Sequence, residues 1–242
     1  DIRVCNLSLI NTDWYISQMK RKAYESEPVP ISLEEKDFQQ GTNEYIPFVE
    51  NKKFTSLPLE TYVKMLKMNH KSIQIPLQSG DMINSFPVKT FEIPVDTNKV
   101  IANGTVSEKM AKQVTDKMIW KISKSSLGKQ DIIIMDMLAT NKWERPIYFA
   151  ITVGPSSYLG LEEYFQLEGF AYRIVPIKTP GAKNGRVDTD LMYENLMKNF
   201  FWRHMDNPKV YYDENHFRFA LNARNNYNRL ATELLREGKI DK

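Results

Sequence analysis

Asp131-Ile132-Ile133-Ile134-Met135-Asp136-Met137-Leu138-Ala139 reads as a buried helix, and Pro146-Ile147-Tyr148-Phe149-Ala150-Ile151-Thr152-Val153 reads as a strong strand. A short helix near Leu159 to Phe165 follows, then a further strand, Phe170-Ala171-Tyr172-Arg173-Ile174-Val175-Pro176-Ile177. Helix, strand, helix, strand in this order favours an α/β fold whose sheet is partly parallel and flanked by helices. Toward the N-terminus, Asp1-Ile2-Arg3-Val4-Cys5-Asn6-Leu7 reads as an opening buried strand. Asn11, Thr12 and Asp13 then offer N-cap chemistry to a helix from Trp14 to Ala23. Pro28 and Pro30 end it, and Ser32 to Glu35 carries a capping-box pattern.

Residues 41–125 are less regular and read as an inserted α+β subregion. Leu59, Tyr62, Val63 and Leu66 stand at helical spacing behind Pro58. Val88, Phe91, Ile93 and Val95 alternate as an edge strand between prolines, Asn103-Gly104 is a turn dipeptide, and Met118 to Ile122 fits a short strand. Ser107 is placed to cap a helix from Glu108 to Asp116. This gives an α/β domain over 1–186, closed by the loop Thr179 to Arg186, and a helical segment over 187–242. In that segment Ala220, Ala223, Tyr227, Leu230, Ala231 and Leu234 form one apolar face, ending at Gly238. The ending is like the first helix of a tetratricopeptide-type pair, so the natural chain is expected to continue past Lys242.

Composition excludes several classes. The chain has 242 residues, 42% hydrophobic and 26% charged, values of a folded protein rather than a disordered tail. Net charge is +3 with Lys and Arg scattered among acidic residues, so no basic stripe argues for nucleic acid. No apolar run approaches the roughly 20 residues a membrane span needs. The single cysteine, Cys5, forbids an intramolecular disulfide and reads as a small buried hydrophobe. His70, His204 and His216 are too scattered for a metal site, no glycine-rich phosphate loop sits between a strand and a helix, and no cofactor is expected. A chain that opens on a core strand is expected to be a piece of a longer polypeptide.

Three phrases carry a resemblance. They are Arg3-Val4-Cys5-Asn6-Leu7-Ser8-Leu9-Ile10-Asn11-Thr12-Asp13-Trp14-Tyr15-Ile16, Ala139-Thr140-Asn141-Lys142-Trp143-Glu144-Arg145-Pro146-Ile147-Tyr148-Phe149, and Leu159-Gly160-Leu161-Glu162-Glu163-Tyr164-Phe165-Gln166-Leu167-Glu168-Gly169. Together they resemble the soluble carboxy-terminal region of a domain-of-unknown-function family of bacterial polytopic membrane proteins, related to the transmembrane protein O-mannosyltransferases. The resemblance implies an upstream membrane portion that uses a lipid-linked sugar and carries the catalytic acid. It also implies that this region lies on the periplasmic face of the inner membrane, with helical repeats after it. No catalytic residue carries over to this chain.

A sugar or acceptor site needs an aromatic plate with convergent carboxylates or amides. In an open α/β sheet such groups gather beyond the carboxyl ends of the strands. By that rule Asn6, Asn11, Asp13 and Trp14, after the opening strand, would share an edge with Tyr158 and Glu162, after the second strand. Helix capping and packing are the competing roles for all six. Trp143-Glu144-Arg145 would lie at the opposite edge in a structural role, with Arg145 pairing a carboxylate. Glu162 and Glu163 point about 100° apart on a helix and do not form an acid pair. The leading expectation is a non-catalytic accessory domain of a membrane glycosyltransferase-like protein that positions an acceptor polypeptide or glycan, in contact with its own transmembrane region. A protein-interaction module is the alternative, and an independent carbohydrate-active enzyme ranks last.

Overall fold

A computed structural model describes residues 2–241. The chain forms two compact units, one of Asp1–Arg145 with Pro155–Gly160, the other of Pro146–Gly154 with Leu161–Lys242. The boundary read at residue 186 falls inside the second.

The first unit begins without a strand. Asp1 lies outside the described residues. Over residues 2–7 the backbone is irregular, with Ile2 89% and Val4 79% exposed, so the expected opening strand is absent. Its alternation of apolar and polar residues matched a strand, but no partner strand supplies a ladder. A 3₁₀ turn, Leu9–Asn11, leads into α1 (Asp13–Met19), shorter than expected, and α2 (Glu35–Phe38) follows. The capping box of α2 runs between Glu34 and Asp37 rather than Ser32 and Glu35.

Residues 41–125, read as an inserted α+β subregion, hold both helices and strands and supply much of this unit's core. β1 (Tyr45–Pro47), β2 (Leu57–Pro58), α3 (Leu59–Lys67), β3 (Gln74–Pro76), β4 (Met82–Asn84), β5 (Thr90–Pro94), α4 (Thr97–Ala102) and β6 (Lys117–Lys121) all lie there. The region expected as a helix after Ser107 is a 3₁₀ turn over Glu108–Gln113. β7 (Ser126–Gly128) pairs antiparallel with β1, and α5 (Lys129–Asn141) is the helix read from its isoleucine run. The three-stranded sheet has the order β2-β5-β6, parallel between β2 and β5 and antiparallel between β5 and β6. Its register puts Phe91 opposite Trp120 and Ile93 opposite Met118, so alternate residues face inward. Tyr62 of α3 packs on Phe91 at 5.3 Å between ring centroids, and α3 packs against α5. The rings Tyr62, Phe91 and Trp120 are all buried.

The second unit holds a four-stranded sheet: β8 (Tyr148–Ala150), β9 (Phe165–Leu167), β10 (Ala171–Ile174) and β11 (Arg186–Val187) in the order β11-β9-β10-β8. Only β11 and β9 are parallel. The sheets are therefore mixed, as a partly parallel α/β reading allows. The short helix expected at 159–165 is a 3₁₀ turn, Glu162–Tyr164. α6 (Thr189–Tyr193) continues into a π-helical turn, Glu194–Asn199, and α7 (Glu214–Arg236) follows. Ala223, Asn226, Leu230 and Leu234 form the buried stripe of α7 at spacings of three and four. Gly238, at φ +72°, ends it in the left-handed conformation expected of a C-terminal glycine. Among the described residues no helix is long and apolar enough to cross a membrane.

Candidate functional site

Four of the six expected site residues gather around the start of α1, three of them hydrogen-bonded. The Asn6 Oδ1 accepts from the amides of Ser8 and Leu9 at 3.0 and 3.1 Å, and its own N–H donates to the Tyr15 hydroxyl at 2.9 Å. Asn11 reaches the first turn of α5, where its Oδ1 accepts from the Gln130 amide at 3.1 Å. It thus caps a helix 119 residues away in sequence. The Asp13 carboxylate accepts from the Gln40 amide at 3.3 Å. Trp14 is the free plate of the group, 59% exposed and set edge-on to Tyr15 at 5.6 Å. Tyr158 is buried in the first unit behind the Pro155–Ser157 turn, whereas Glu162 opens a turn in the second. The shared strand edge that was to unite the six does not exist, because the opening strand is absent and β8 is in an antiparallel pair.

Trp143-Glu144-Arg145 is structural, with one correction. Arg145 donates to the carbonyls of Pro28 and Glu27 at 2.8 and 3.4 Å instead of pairing a carboxylate. The Trp143 indole N–H donates to the Pro94 carbonyl at 3.0 Å, and Glu144 pairs with Lys99. Lys142 and Trp143 both adopt left-handed φ angles, 46° and 61°. The Asn141 side chain closes this turn by donating to the Arg145 carbonyl at 2.8 Å and accepting its amide at 3.2 Å.

Two polar centres were not read from the sequence. In the first unit Asp136 is fully buried on α5 and accepts four hydrogen bonds. They come from the Ser32 and Leu33 amides at 2.7 and 2.9 Å, the Ser32 hydroxyl at 2.7 Å and the Thr140 hydroxyl at 3.0 Å. The carbonyls of the same two residues accept from Lys67, at 2.9 Å, and Lys20. Val29, Ile31 and Leu33 alternate into the core, so this extended segment is fastened by side chain and backbone together. One turn N-terminal to Asp136, the buried Asp131 binds Lys124 through both oxygens at 2.7 and 2.8 Å and accepts the Gly128 amide at 3.1 Å.

The second centre lies in the second unit. Register places Tyr148, Arg173, Gln166 and Arg186 in one row across all four strands, on one face. Glu168, two residues past Gln166, accepts from the Tyr148 hydroxyl and the Gln166 side-chain Nε2, both at 2.8 Å, and lies 3.7 Å from Arg173. Burial, then the Glu168 charge, pushes the Tyr148 phenol up to about 12. Burial lowers Arg186, opposed by Asp188 and Glu237. The signal was present: a lone arginine in the run Phe170 to Ile177, and two acids in the isoleucine-rich helix. A charge inside an apolar element is buried with partners or it does not fold there.

The second unit also carries an open recess of about 360 Å³ lined by Leu196, Met197, Phe200, Trp202 and Tyr227. Trp202 and Tyr227 lie nearly parallel, 22° apart with centroids at 6.2 Å, while Phe200 stands at 88° to Trp202. The Tyr227 hydroxyl donates to the Leu196 carbonyl at 2.9 Å. Among the described residues no cluster of His, Cys, Asp or Glu is arranged to hold a metal ion. Cys5, expected in the core, is only half-buried; it contacts the Met19 sulfur at 3.9 Å, and burial raises its thiol.

A family model described as TMEM260-associated domain 2 matches residues 1–191. The chain belongs to this family. The matched span takes in the Asp136 centre, every residue of the N-terminal group and the four-stranded sheet with its polar row, and it stops inside α6. The aromatic recess and α7 lie past it. No curated protein and no solved structure matches the chain.

Proposed function

We propose that this chain is a non-catalytic, extracytoplasmic accessory domain of a membrane glycosyltransferase-like protein, one that positions an acceptor polypeptide or glycan for O-glycosylation. Membership of the TMEM260-associated family over residues 1–191 carries the reading. The family takes its name from TMEM260, a protein O-mannosyltransferase, and the phrases around Trp14, Trp143 and Glu162 resemble the non-membrane region of such proteins. In this reading the domain sits on the periplasmic face of the inner membrane and contacts its own transmembrane portion. The buried carboxylates support a scaffold role, since Asp131, Asp136 and Glu168 each hold backbone amides or neighbouring side chains. The acceptor-facing surface is the N-terminal group, with Trp14 as the exposed plate and Asn6, Asn11 and Asp13 around it; Tyr158 and Glu162 belong to the wider proposal.

An amide NMR titration with an acceptor peptide or glycan tests this. Saturable shifts at residues 11–14 support it. Measurable turnover by the chain with a lipid-linked or nucleotide sugar overturns it. A second reading, a protein-interaction module leading into helical repeats, is favoured by a different observation. Phe217, Leu221 and Leu235 of α7 are each more than half exposed, and large apolar side chains in solvent mark contact surfaces. Leu230 and Leu234 are not part of that surface, because both are buried.

A further inference from the structure

α7 carries a second patterned face besides the stripe that it buries. Phe217, Leu221, Arg224, Asn228, Ala231 and Leu235 recur at alternating spacings of four and three, the seam pattern of a paired helix, and all six are exposed. They lie on the side of the helix away from Ala223, Asn226, Leu230 and Leu234. The first turns are fixed to the second unit by Phe219, whose ring stacks on Phe170 at 5.5 Å, so Phe217, two residues earlier, is directed outward. Charge is distributed unevenly along the helix: Asp213 and Glu214 stand at its N-terminal end and Arg236 at its C-terminal end.

We infer that this face pairs with the same face of a second copy of the chain, the two α7 helices running antiparallel. The seam is its own complement when reversed. About a twofold axis at the level of residue 226, Phe217 of one copy faces Leu235 of the other, Leu221 faces Ala231, and Arg224 faces Asn228, each contact occurring twice. A large side chain meets a small one at the Leu221–Ala231 pair, and the Asn228 amide oxygen is an acceptor for the Arg224 guanidinium. Charge selects the direction. Antiparallel pairing sets Asp213 and Glu214 beside Arg236 at both ends and opposes the helix dipoles, whereas a parallel pair sets each end against its like and Arg224 against Arg224. The polar middle of the seam selects the partner. A wholly apolar helix or a lipid surface would cover Arg224 and Asn228 without giving them hydrogen-bond partners, a loss that self-pairing avoids. The seam is about 27 Å long, at the low end of specific interfaces, so a micromolar dissociation constant is expected.

The inference rests on the interaction-module reading, for which it names the partner, and is independent of acceptor positioning. Sedimentation of the chain from about 1 to about 200 µM should show a monomer–dimer equilibrium. Leu221→Glu, at an exposed position, should weaken association at least about tenfold and leave the unfolding midpoint of the dilute chain unchanged. Direction is read by crosslinking in a Cys5→Ser background, with Arg218→Cys and Thr232→Cys placed along one flank of the seam. Mixed and mildly oxidised, these two variants should form the 218–232 disulfide between copies. Neither a 218–218 nor a 232–232 product should form, because antiparallel pairing holds those positions about 24 and about 18 Å apart. Homotypic products alone overturn the antiparallel register. A chain that stays monomeric throughout, or a dimer that Leu221→Glu leaves intact, overturns the pairing. A monomeric chain whose α7 amides shift with an added apolar helical peptide overturns self-pairing while supporting the interaction-module reading, and one with no such shifts overturns both.

Discussion

Replacing Asp136 with alanine should be among the most damaging single changes in the first unit. The carboxylate has no solvent exposure and satisfies two backbone amides, Ser32 and Leu33, and two hydroxyls, Ser32 and Thr140. Alanine leaves all four donors without this acceptor. The hydroxyls can rotate toward other partners, but the amides are fixed by the chain. A buried amide stripped of its partner costs about 1–3 kcal/mol, so the two together cost roughly 2–6 kcal/mol, with a central figure near 4. Asparagine keeps the shape. Its one oxygen can still serve the two amides while its NH₂ faces the two hydroxyls as acceptors. What is lost is the charge, which separates bonds worth about 1.5–3 kcal/mol from neutral ones worth about 0.5–1.5, so two bonds weaken by about 2 kcal/mol in all. Urea unfolding followed by tryptophan fluorescence measures both variants, and hydrogen exchange at the Ser32 and Leu33 amides reports the local effect. The expected order is wild type, then Asp136→Asn, then Asp136→Ala, with unprotected amides in the last. Two variants within about 0.5 kcal/mol of wild type would refute the assignment of Asp136 as the fastener of this segment.

Gly160 has φ +83°, and a Cβ there would meet the Lys121 carbonyl oxygen at 2.2 Å, so Gly160→Ala should cost about 3 kcal/mol or more, against about 1 for Gly80→Ala, where the space is open; denaturant midpoints compare them. Tyr148→Phe removes the hydrogen bond to Glu168 and should cost about 1 kcal/mol. Because the folded phenol is raised from near 10 to about 12, its contribution is complete below pH 10 and is lost as pH rises through about 12; absorbance at alkaline pH should show Tyr148 ionising late together with the buried Tyr62 and with Tyr227, and Tyr148→Phe should take one tyrosine out of that late group. Asn11→Ala removes a cap from α5 and should cost about 1 kcal/mol. Trp14→Ala, at an exposed ring, should change stability by less than about 0.5 kcal/mol yet abolish acceptor-induced shifts at the N-terminal group.

The elements legible in the sequence were those whose signal is local and long. α5 follows from Ile132-Ile133-Ile134 flanked by acids, α3 from Leu59, Tyr62, Val63 and Leu66, and the buried stripe of α7 includes Ala223, Leu230 and Leu234. α7 begins earlier than its apolar face, because Asp213 caps it by accepting the His216 amide at 3.1 Å. The strands of residues 41–125 are two to five residues long, and β2 meets β5 only across α3, β3 and β4, so no local pattern announces the pairing. At the N-terminus the pattern misled: Ile2 and Val4 alternate like a strand yet stand in solvent, because alternation states which face would be apolar and not whether a partner exists. The candidate site inherited that error, since its unity depended on two parallel strand ends. Asn11, Thr12 and Asp13 do stand at the start of α1, but the N-cap residue Thr12 makes no side-chain capping bond there. Asp136 and the Tyr148–Arg173–Gln166 row went unread because their partners, Ser32 and Leu33 in one case and three other strands in the other, are distant in sequence.

The proposal that this is an acceptor-positioning domain without its own chemistry is tested most directly by sugar transfer to a polypeptide acceptor, comparing the membrane protein proposed to carry it with a form lacking residues 1–191 and with the chain alone. No transfer is expected from the chain alone, and removing the domain should raise KM for the polypeptide with kcat largely kept. Transfer by the isolated chain, or an unchanged KM after its removal, would contradict it.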